Sequence, residues 1–183
     1  MATANKTKAV YLDSDGVLNT AIIKNNMPCA PTSLAEFSIP DEVKPALDKL
    51  KAAGFLLICV TNKPDIERGL IKREVVDQIY INMRQILPLD DVFICYSGDY
   101  ADPSYKPNPG LLIAAAEKYN IDFSKSYMVG DRWRDIGAGK NVNCKTIWIN
   151  RHYAEENPTP SADHEVSSLM EAATWILSDC EIN

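Results

Sequence analysis

The chain has 183 residues, with 25 acidic against 19 basic side chains and a net charge of −6. That length reads as one domain over residues 1–183, able to bury its own core. With 46% hydrophobic and 24% charged residues the composition is that of an ordinary globular protein, which excludes disorder, collagen and low complexity. The acidic balance speaks against a nucleic-acid binder that works by bulk charge. No apolar run reaches the ~18 residues of a membrane span, and the opening MATANKTKAV has no apolar signal core.

In chain order, strand and helix patterns alternate. Residues 8–12 (KAVYL) form a short β-rich run that ends at Asp13. Residues 41–53 have helical spacing, with Val43, Leu47 and Leu50 three or four apart; Asp41 is placed to cap the start and Gly54 follows the end. The apolar run 55–60 (FLLICV) suits a strand covered on both faces. Residues 66–87 read as a second helix, whose start can also be set after Gly69, and 91–96 (DVFICY) as a third strand. A helix over 107–119 opens with prolines, which a first turn tolerates. Residues 126–129 (SYMV), 132–140, 144–149 (CKTIWI) and 167–177 complete the series as strand, helix, strand and helix. Two stretches, 20–38 and 152–163, carry no pattern and read either as functional loops or as plain surface.

Such alternation predicts a parallel sheet with helices on both faces. Cys29, Cys59, Cys95, Cys144 and Cys180 make an odd count, which argues against a disulfide framework. Three of them lie inside apolar strands and read as buried thiols, in keeping with a reducing cytoplasm. No CxxC or HxxxH spacing is present, so a structural zinc site is not expected. No helix carries a heptad seam from which to read a partner copy.

Ligands of open parallel sheets bind beyond the carboxyl ends of the strands. There the sequence places Asp13-Ser14-Asp15-Gly16 after the first strand, Thr61-Asn62 after the second, a loop reaching Lys106 after the third, and Gly130-Asp131-Arg132-Trp133-Arg134-Asp135 after the fourth. Each alone has an ordinary reading, as a turn, a helix cap or a solvated charge. Their convergence on one sheet edge carries the argument. Four carboxylates in one pocket repel unless a cation joins them or some are protonated. An all-oxygen set suits Mg²⁺. A hydroxyl, strand-end amides and a lysine suit a phosphate.

These residues resemble the haloacid dehalogenase-like hydrolases, a family made up largely of phosphatases, across nearly the whole chain. The likeness runs through Asp13-Ser14-Asp15-Gly16-Val17-Leu18-Asn19, Val60-Thr61-Asn62, Lys106-Pro107-Asn108-Pro109-Gly110 and the GDxxxD of Gly130 to Asp135. Thr61-Asn62-Lys63-Pro64 with Arg68-Gly69 is similar to the cap-less heptose bisphosphate and histidinol phosphate phosphatase branch. The resemblance implies a Rossmann-like three-layer α/β/α fold on a mainly parallel five- or six-stranded sheet, with no cap domain. It implies a Mg²⁺-dependent phosphatase for a small phosphorylated metabolite, a sugar phosphate or bisphosphate, acting through an aspartyl-phosphate.

In that scheme Asp13 is the nucleophile. Asp15 is the acid and base, with its proton affinity raised by neighbouring carboxylates. Thr61 and Asn62 hold phosphoryl oxygens, and Lys106 offsets negative charge. The metal is assigned to Asp13, Asp15 through its backbone carbonyl, Asp131 and Asp135. Lys63, Arg68 and Arg132 read either as anion-binding groups or as solvated charges, and Tyr105 either as pocket lining or as packing. Two departures from the branch stand out. Cys95, Ser97, Asp102 and Ser104 replace its zinc clip of three cysteines and a histidine, and Tyr105 stands where its heptose enzymes often have an arginine. The alternatives are a nucleotide or nucleic-acid 3′-end phosphatase, a dehalogenase (disfavoured by the second acid, Asp15), and a catalytically silent phosphate binder. No nucleic-acid partner and no membrane are expected.

Overall fold

The computed structural model describes residues 6–182. Six strands form one parallel sheet: β1 (Ala9–Leu12), β4 (Leu56–Asn62), β5 (Asp91–Cys95), β6 (Tyr127–Gly130), β7 (Lys145–Ile149) and β8 (His164–Val166), in spatial order β5-β4-β1-β6-β7-β8. Five helices pack on it: α1 (Val43–Ala52), α2 (Arg73–Ile86), α3 (Gly110–Tyr119), α4 (Trp133–Lys140) and α5 (Leu169–Ile182). The three-layer α/β/α architecture read from the sequence is the one observed.

Strand alternation builds two cores. Val10 and Leu12 of β1, with Leu57 and Cys59 of β4, face the cluster that holds α1, α2 and α5. Ala9, Tyr11, Ile58 and Val60 face the cluster that holds α3 and α4. Because both faces are covered, β1 is buried along its whole length, which is why its sequence is continuously apolar. The fully buried Leu and Ile side chains each contribute about 1.5–3 kcal/mol through removal from water.

Successive strands run outward from β1 to β5 on one side, and the chain then returns to place β6 on the other. The carboxyl ends of β1 and β6 thus flank a switch point, where open α/β sheets leave a crevice. Asp13 follows β1 there, and Asp131 follows β6.

Several boundaries differ from expectation. Helix α2 starts at Arg73, in line with the start after Gly69 and not with one near residue 66. Residues 64–71 instead form tight turns, closed by hydrogen bonds from the Arg68 N–H to the Pro64 carbonyl and from the Leu70 N–H to the Asp65 carbonyl, with Gly69 at φ +70°. Asp41 does not cap α1; Glu42 takes that position with no side-chain capping bond. Helix α5 continues past residue 177. Part of the unpatterned stretch 20–38 is a hairpin, β2 (Ile22–Lys24) paired antiparallel with β3 (Met27–Cys29). It turns on Asn25 and Asn26, both at positive φ, as a two-residue hairpin loop requires. The Asn26 carbonyl accepts from the Ala154 N–H at 2.9 Å, which ties the hairpin to the second unpatterned loop. All five cysteines are free thiols, with Cys59, Cys95 and Cys144 buried. No described helix is long and apolar enough to cross a membrane.

Candidate active site

Asp13 emerges from the end of β1, its main chain still held by the Val129 carbonyl at 3.0 Å. The chain then turns sharply: the N–H groups of Val17, Leu18 and Asn19 all donate to the Ser14 carbonyl. Gly16 stands in that turn at φ +88°. A Cβ there would lie 1.9 Å from Asp131 Oδ2 and 2.7 Å from the Tyr153 hydroxyl, so both the backbone angle and the close approach demand glycine. At Gly130 close approach alone demands glycine, since a Cβ would sit 2.0 Å from that of Asp135.

Lys106 is the hub of the site. Its side chain is 2% exposed, and its ammonium donates to Asp13 Oδ1 at 2.8 Å, Asp135 Oδ1 at 2.6 Å and the Val60 carbonyl at 2.7 Å. Burial alone would lower the lysine pKa, but the Asp13 and Asp135 carboxylates outweigh it and hold the group charged. Asn62, at the end of β4, clamps the lysine main chain: its amide accepts from the Lys106 N–H and donates to the Lys106 carbonyl, both at 3.1 Å. The Asn62 side chain is thus engaged in holding the lysine. Asp135 reaches back within the first turn of α4 and accepts from the Arg132 N–H at 3.0 Å.

Asp13, Asp131 and Asp135 bring one carboxylate oxygen each to within 4.8 Å of one another, all buried. Burial and then the charges of Asp13 and Asp135 push Asp131 well above the usual carboxylate range. Burial and Asp13 push Asp135 up to about 6 against the pull of Lys106. Asp131 Oδ2 accepts from the Tyr153 hydroxyl at 2.7 Å, while the buried Oδ1 has no hydrogen-bond donor. A buried carboxylate oxygen without a donor is costly, and this one lies among other hard oxygen ligands. The residues present fit a divalent cation of the Mg²⁺ type.

Asp15 is placed differently from expectation. The crowd of carboxylates surrounds Asp131 and Asp135; the oxygens of Asp15 are met by the Lys63 ammonium and by Asn19 Nδ2, the latter at 2.9 Å. A buried relay runs from the Tyr80 hydroxyl to Ser14 Oγ (2.9 Å), and from Ser14 to Asn19 Oδ1 (2.7 Å), fixing the asparagine that holds Asp15. Lys63 is 5% exposed and so is no solvated charge.

Asp13, Asp15, Lys63, Lys106 and Asp135 open onto a cavity of about 350 Å³, which Thr61, Arg68, Tyr105 and Arg132 also line. Pro28 and Cys29 of the hairpin contribute to its wall. Arg68 is half-exposed and pairs with Asp65 at 3.3 Å, whereas Arg132 is held by both oxygens of Glu155. Tyr105 is buried edge-to-face against Tyr100, ring centroids 5.1 Å apart. Where the branch has its zinc clip, Asp102 accepts from the Ser104 N–H at 2.8 Å and Ser97 Oγ accepts from the Asp99 N–H at 3.0 Å. His164 stacks on Trp175, ring centroids 4.7 Å apart, away from the site.

Sequence reasoning missed Tyr153, Glu155, Arg134 and the Tyr80–Ser14–Asn19 relay. Tyr153 and Glu155 lie in a stretch without periodicity. Arg134 occupies a variable position of GDxxxD, where the motif says nothing.

The family model for haloacid dehalogenase-like hydrolases matches residues 22–143, a span that begins after Asp13 and Asp15 and includes Thr61, Lys106, Asp131 and Asp135. A heptose phosphatase of Pasteurella multocida, D-glycero-beta-D-manno-heptose-1,7-bisphosphate 7-phosphatase, is 35% identical over 150 residues, covering 75% of this chain and 78% of its own. A Helicobacter pylori protein of the same name is 28% identical over 185 residues, covering 96% and 99%. Among solved structures, the D,D-heptose 1.7-bisphosphate phosphatase of B. bronchiseptica, complexed with magnesium and phosphate, aligns with a TM-score of 0.78 at 23% identity, covering 94% of this chain and 99% of that one. At that identity the likeness speaks for the fold.

Proposed function

This chain belongs to the haloacid dehalogenase-like hydrolases and is a phosphoric monoester hydrolase of that family, and we propose that it removes a phosphate from a phosphorylated sugar, with Mg²⁺ and an aspartyl-phosphate intermediate. The observation that carries the reading is the buried trio Asp13, Asp131 and Asp135 at the switch point, tied to Lys106, with one Asp131 oxygen facing no donor. Bound at that trio, Mg²⁺ would neutralise charge on the phosphoryl oxygens.

The chain's own residues divide the remaining work. Asp13, carried on a rigid strand end, attacks phosphorus; its Oδ1 is pinned by Lys106, which leaves Oδ2 as the attacking atom. Thr61 and the main-chain amide of Asn62 face the transferring group and hold its oxygens, while Lys106, whose three N–H donors are already taken, offsets negative charge on nucleophile and phosphate. Asp15 donates a proton to the leaving alcohol and recovers one from the water that hydrolyses the intermediate. Lys63 holds Asp15 before substrate arrives. The incoming phosphate competes for that ammonium, and the freed Asp15 carboxylate takes up a proton from solvent, which it then passes to the leaving alcohol. The Tyr80–Ser14–Asn19 relay keeps that carboxyl aimed while it changes partner.

The names of the relatives support a heptose bisphosphate as the substrate, and a cavity of about 350 Å³ lies within the range of small-molecule sites. Residues 1–183 read as one catalytic domain without a cap, because between β1 and β4 only a hairpin and α1 intervene. Free thiols throughout support a reducing cytoplasmic setting.

The test is phosphate release from a panel of heptose and hexose phosphates and bisphosphates, histidinol phosphate and nucleotides, ranked by kcat/KM. Preference for a sugar bisphosphate is expected, with activity lost in EDTA and restored by Mg²⁺. Full activity in metal-free enzyme, or a nucleotide at the head of the ranking, contradicts the reading.

A further inference from the structure

Five cations line the cavity: Lys63, Arg68, Lys106, Arg132 and Arg134. Four of them are paired with carboxylates of the chain. Lys63 pairs with Asp15, Arg68 with Asp65, Lys106 with Asp13 and Asp135, and Arg132 with Glu155. Among the described residues Arg134 has no such partner, and its Nε is buried without any hydrogen-bond acceptor.

The guanidinium is held instead by aromatic rings. It lies 4.9 Å from the Trp133 ring centroid, 5.6 Å from that of Tyr100 and 5.9 Å from that of Tyr105, within the ~6 Å reach of cation–π attraction. Such contacts fix an arginine while leaving its N–H donors unspent, and those donors suit the oxygens of a phosphate. Tyr105, the residue beneath it, directly precedes Lys106, and Arg134 directly precedes Asp135. The arginine is thus carried by the same two segments that carry the reaction centre.

We propose that Arg134, caged by Tyr100, Tyr105 and Trp133, is the specificity residue that binds a second phosphate of the substrate, remote from the one removed. This assignment rests on the sugar-phosphatase reading and adds to it the group that tells a bisphosphate from a monophosphate. The transferring phosphate already has Lys106 and the metal site; the unpaired cation on the same cavity is left for another anion. Substrate oxygens in the cavity supply acceptors for the terminal guanidinium nitrogens, the buried Nε staying inside the protein.

The test is competition against p-nitrophenyl phosphate turnover in Mg²⁺ by two probes, fructose 1,6-bisphosphate and fructose 6-phosphate. Neither need be the natural substrate. In the wild type the bisphosphate should inhibit at least about tenfold more tightly than the monophosphate, as a charge-assisted pair to a second anion allows. In Arg134→Met, which keeps the apolar stem on the rings, that gap should fall below about threefold, with p-nitrophenyl phosphate kcat/KM nearly unchanged. Arg134→Lys should retain an intermediate gap, and melting curves of both variants check that the fold survives. Equal inhibition by the two sugars in the wild type, or a full gap in Arg134→Met, overturns the assignment. An equal loss for all compounds would make Arg134 a support of the reaction centre and overturn it as well. Failure of the phosphatase reading itself would show separately, as a wild type that does not turn over p-nitrophenyl phosphate; calorimetric titration with the same two sugars then decides the arginine on its own.

Discussion

Replacing Asp131 with asparagine should make the protein more stable without metal and less stable with it. The trio Asp13, Asp131 and Asp135 is compensated by one ammonium, Lys106, which leaves two negative charges, the charge of one divalent cation. Unit charges no more than 4.8 Å apart repel by at least about 3 kcal/mol at an effective dielectric of about 20. Asparagine removes two such repulsions. It still accepts from the Tyr153 hydroxyl, and its amide N–H can donate toward the neighbouring carboxylates, where Asp131 Oδ1 has no donor. Lost attraction to Lys106 and partial protonation of the wild-type cluster cancel part of the gain, leaving about 1–3 kcal/mol, or roughly 3–10 °C in Tm for a chain of this size. Mg²⁺ at about 1,000 times its Kd should stabilise the wild type by about 4.1 kcal/mol and should leave Asp131→Asn within about 1 °C of its metal-free Tm. Thermal melts of both proteins in EDTA and in Mg²⁺ should therefore cross. A metal-free variant that melts below the wild type, or one that keeps the Mg²⁺ shift, refutes the charge argument.

Gly16→Ala should lower Tm through the positive φ, by about 1–2 kcal/mol, and should weaken Mg²⁺ at least about tenfold by displacing Asp131; wild-type Mg²⁺ affinity by calorimetry would contradict this. Because Asp131 and Asp135 are pushed up, the latter to about 6, both hold protons more tightly than ordinary carboxylates, and a cation must displace those protons. Mg²⁺ affinity should accordingly strengthen as pH rises through about 6, with proton release visible when buffers of different ionisation enthalpy are compared; a Kd independent of pH between about 5 and 8 counts against it. Asp15→Asn should cut kcat for sugar phosphates by at least about 100-fold, with a smaller loss for p-nitrophenyl phosphate, whose leaving group needs little protonation; equal losses on both would remove its acid role.

The sheet was legible because strands buried on both faces leave continuous apolar runs, and the site was legible because strand ends gather whatever follows them. FLLICV and DVFICY announce themselves. The hairpin did not, since its strands are three residues long and too short to show alternation; Asn25-Asn26 was the one local signal. The helical pattern from residue 66 misled because Ile66, Leu70 and Ile71 are apolar at helical spacing, yet the backbone there closes into turns around Asp65 and Gly69. Asp15 shows a different limit. Its identity as a site residue is local, but its neighbours, Lys63 and Asn19, are set by how β4 and the Gly16 turn approach each other in space. Tyr153 and Arg134 are placed by tertiary contacts, one donating to Asp131 and the other resting on aromatic rings, and neither has a spacing that marks it.

The central claim, that Asp13 is phosphorylated in turnover, is tested most directly by acid-quenching the enzyme during p-nitrophenyl phosphate hydrolysis in Mg²⁺ and mapping the modified peptide by mass spectrometry. The account predicts one phosphoryl group on Asp13 of the wild type, and none in Asp13→Asn, whose kcat falls by at least about 10³-fold. A phosphoryl group on any other residue, or Asp13→Asn retaining more than about a tenth of the wild-type rate, would contradict it.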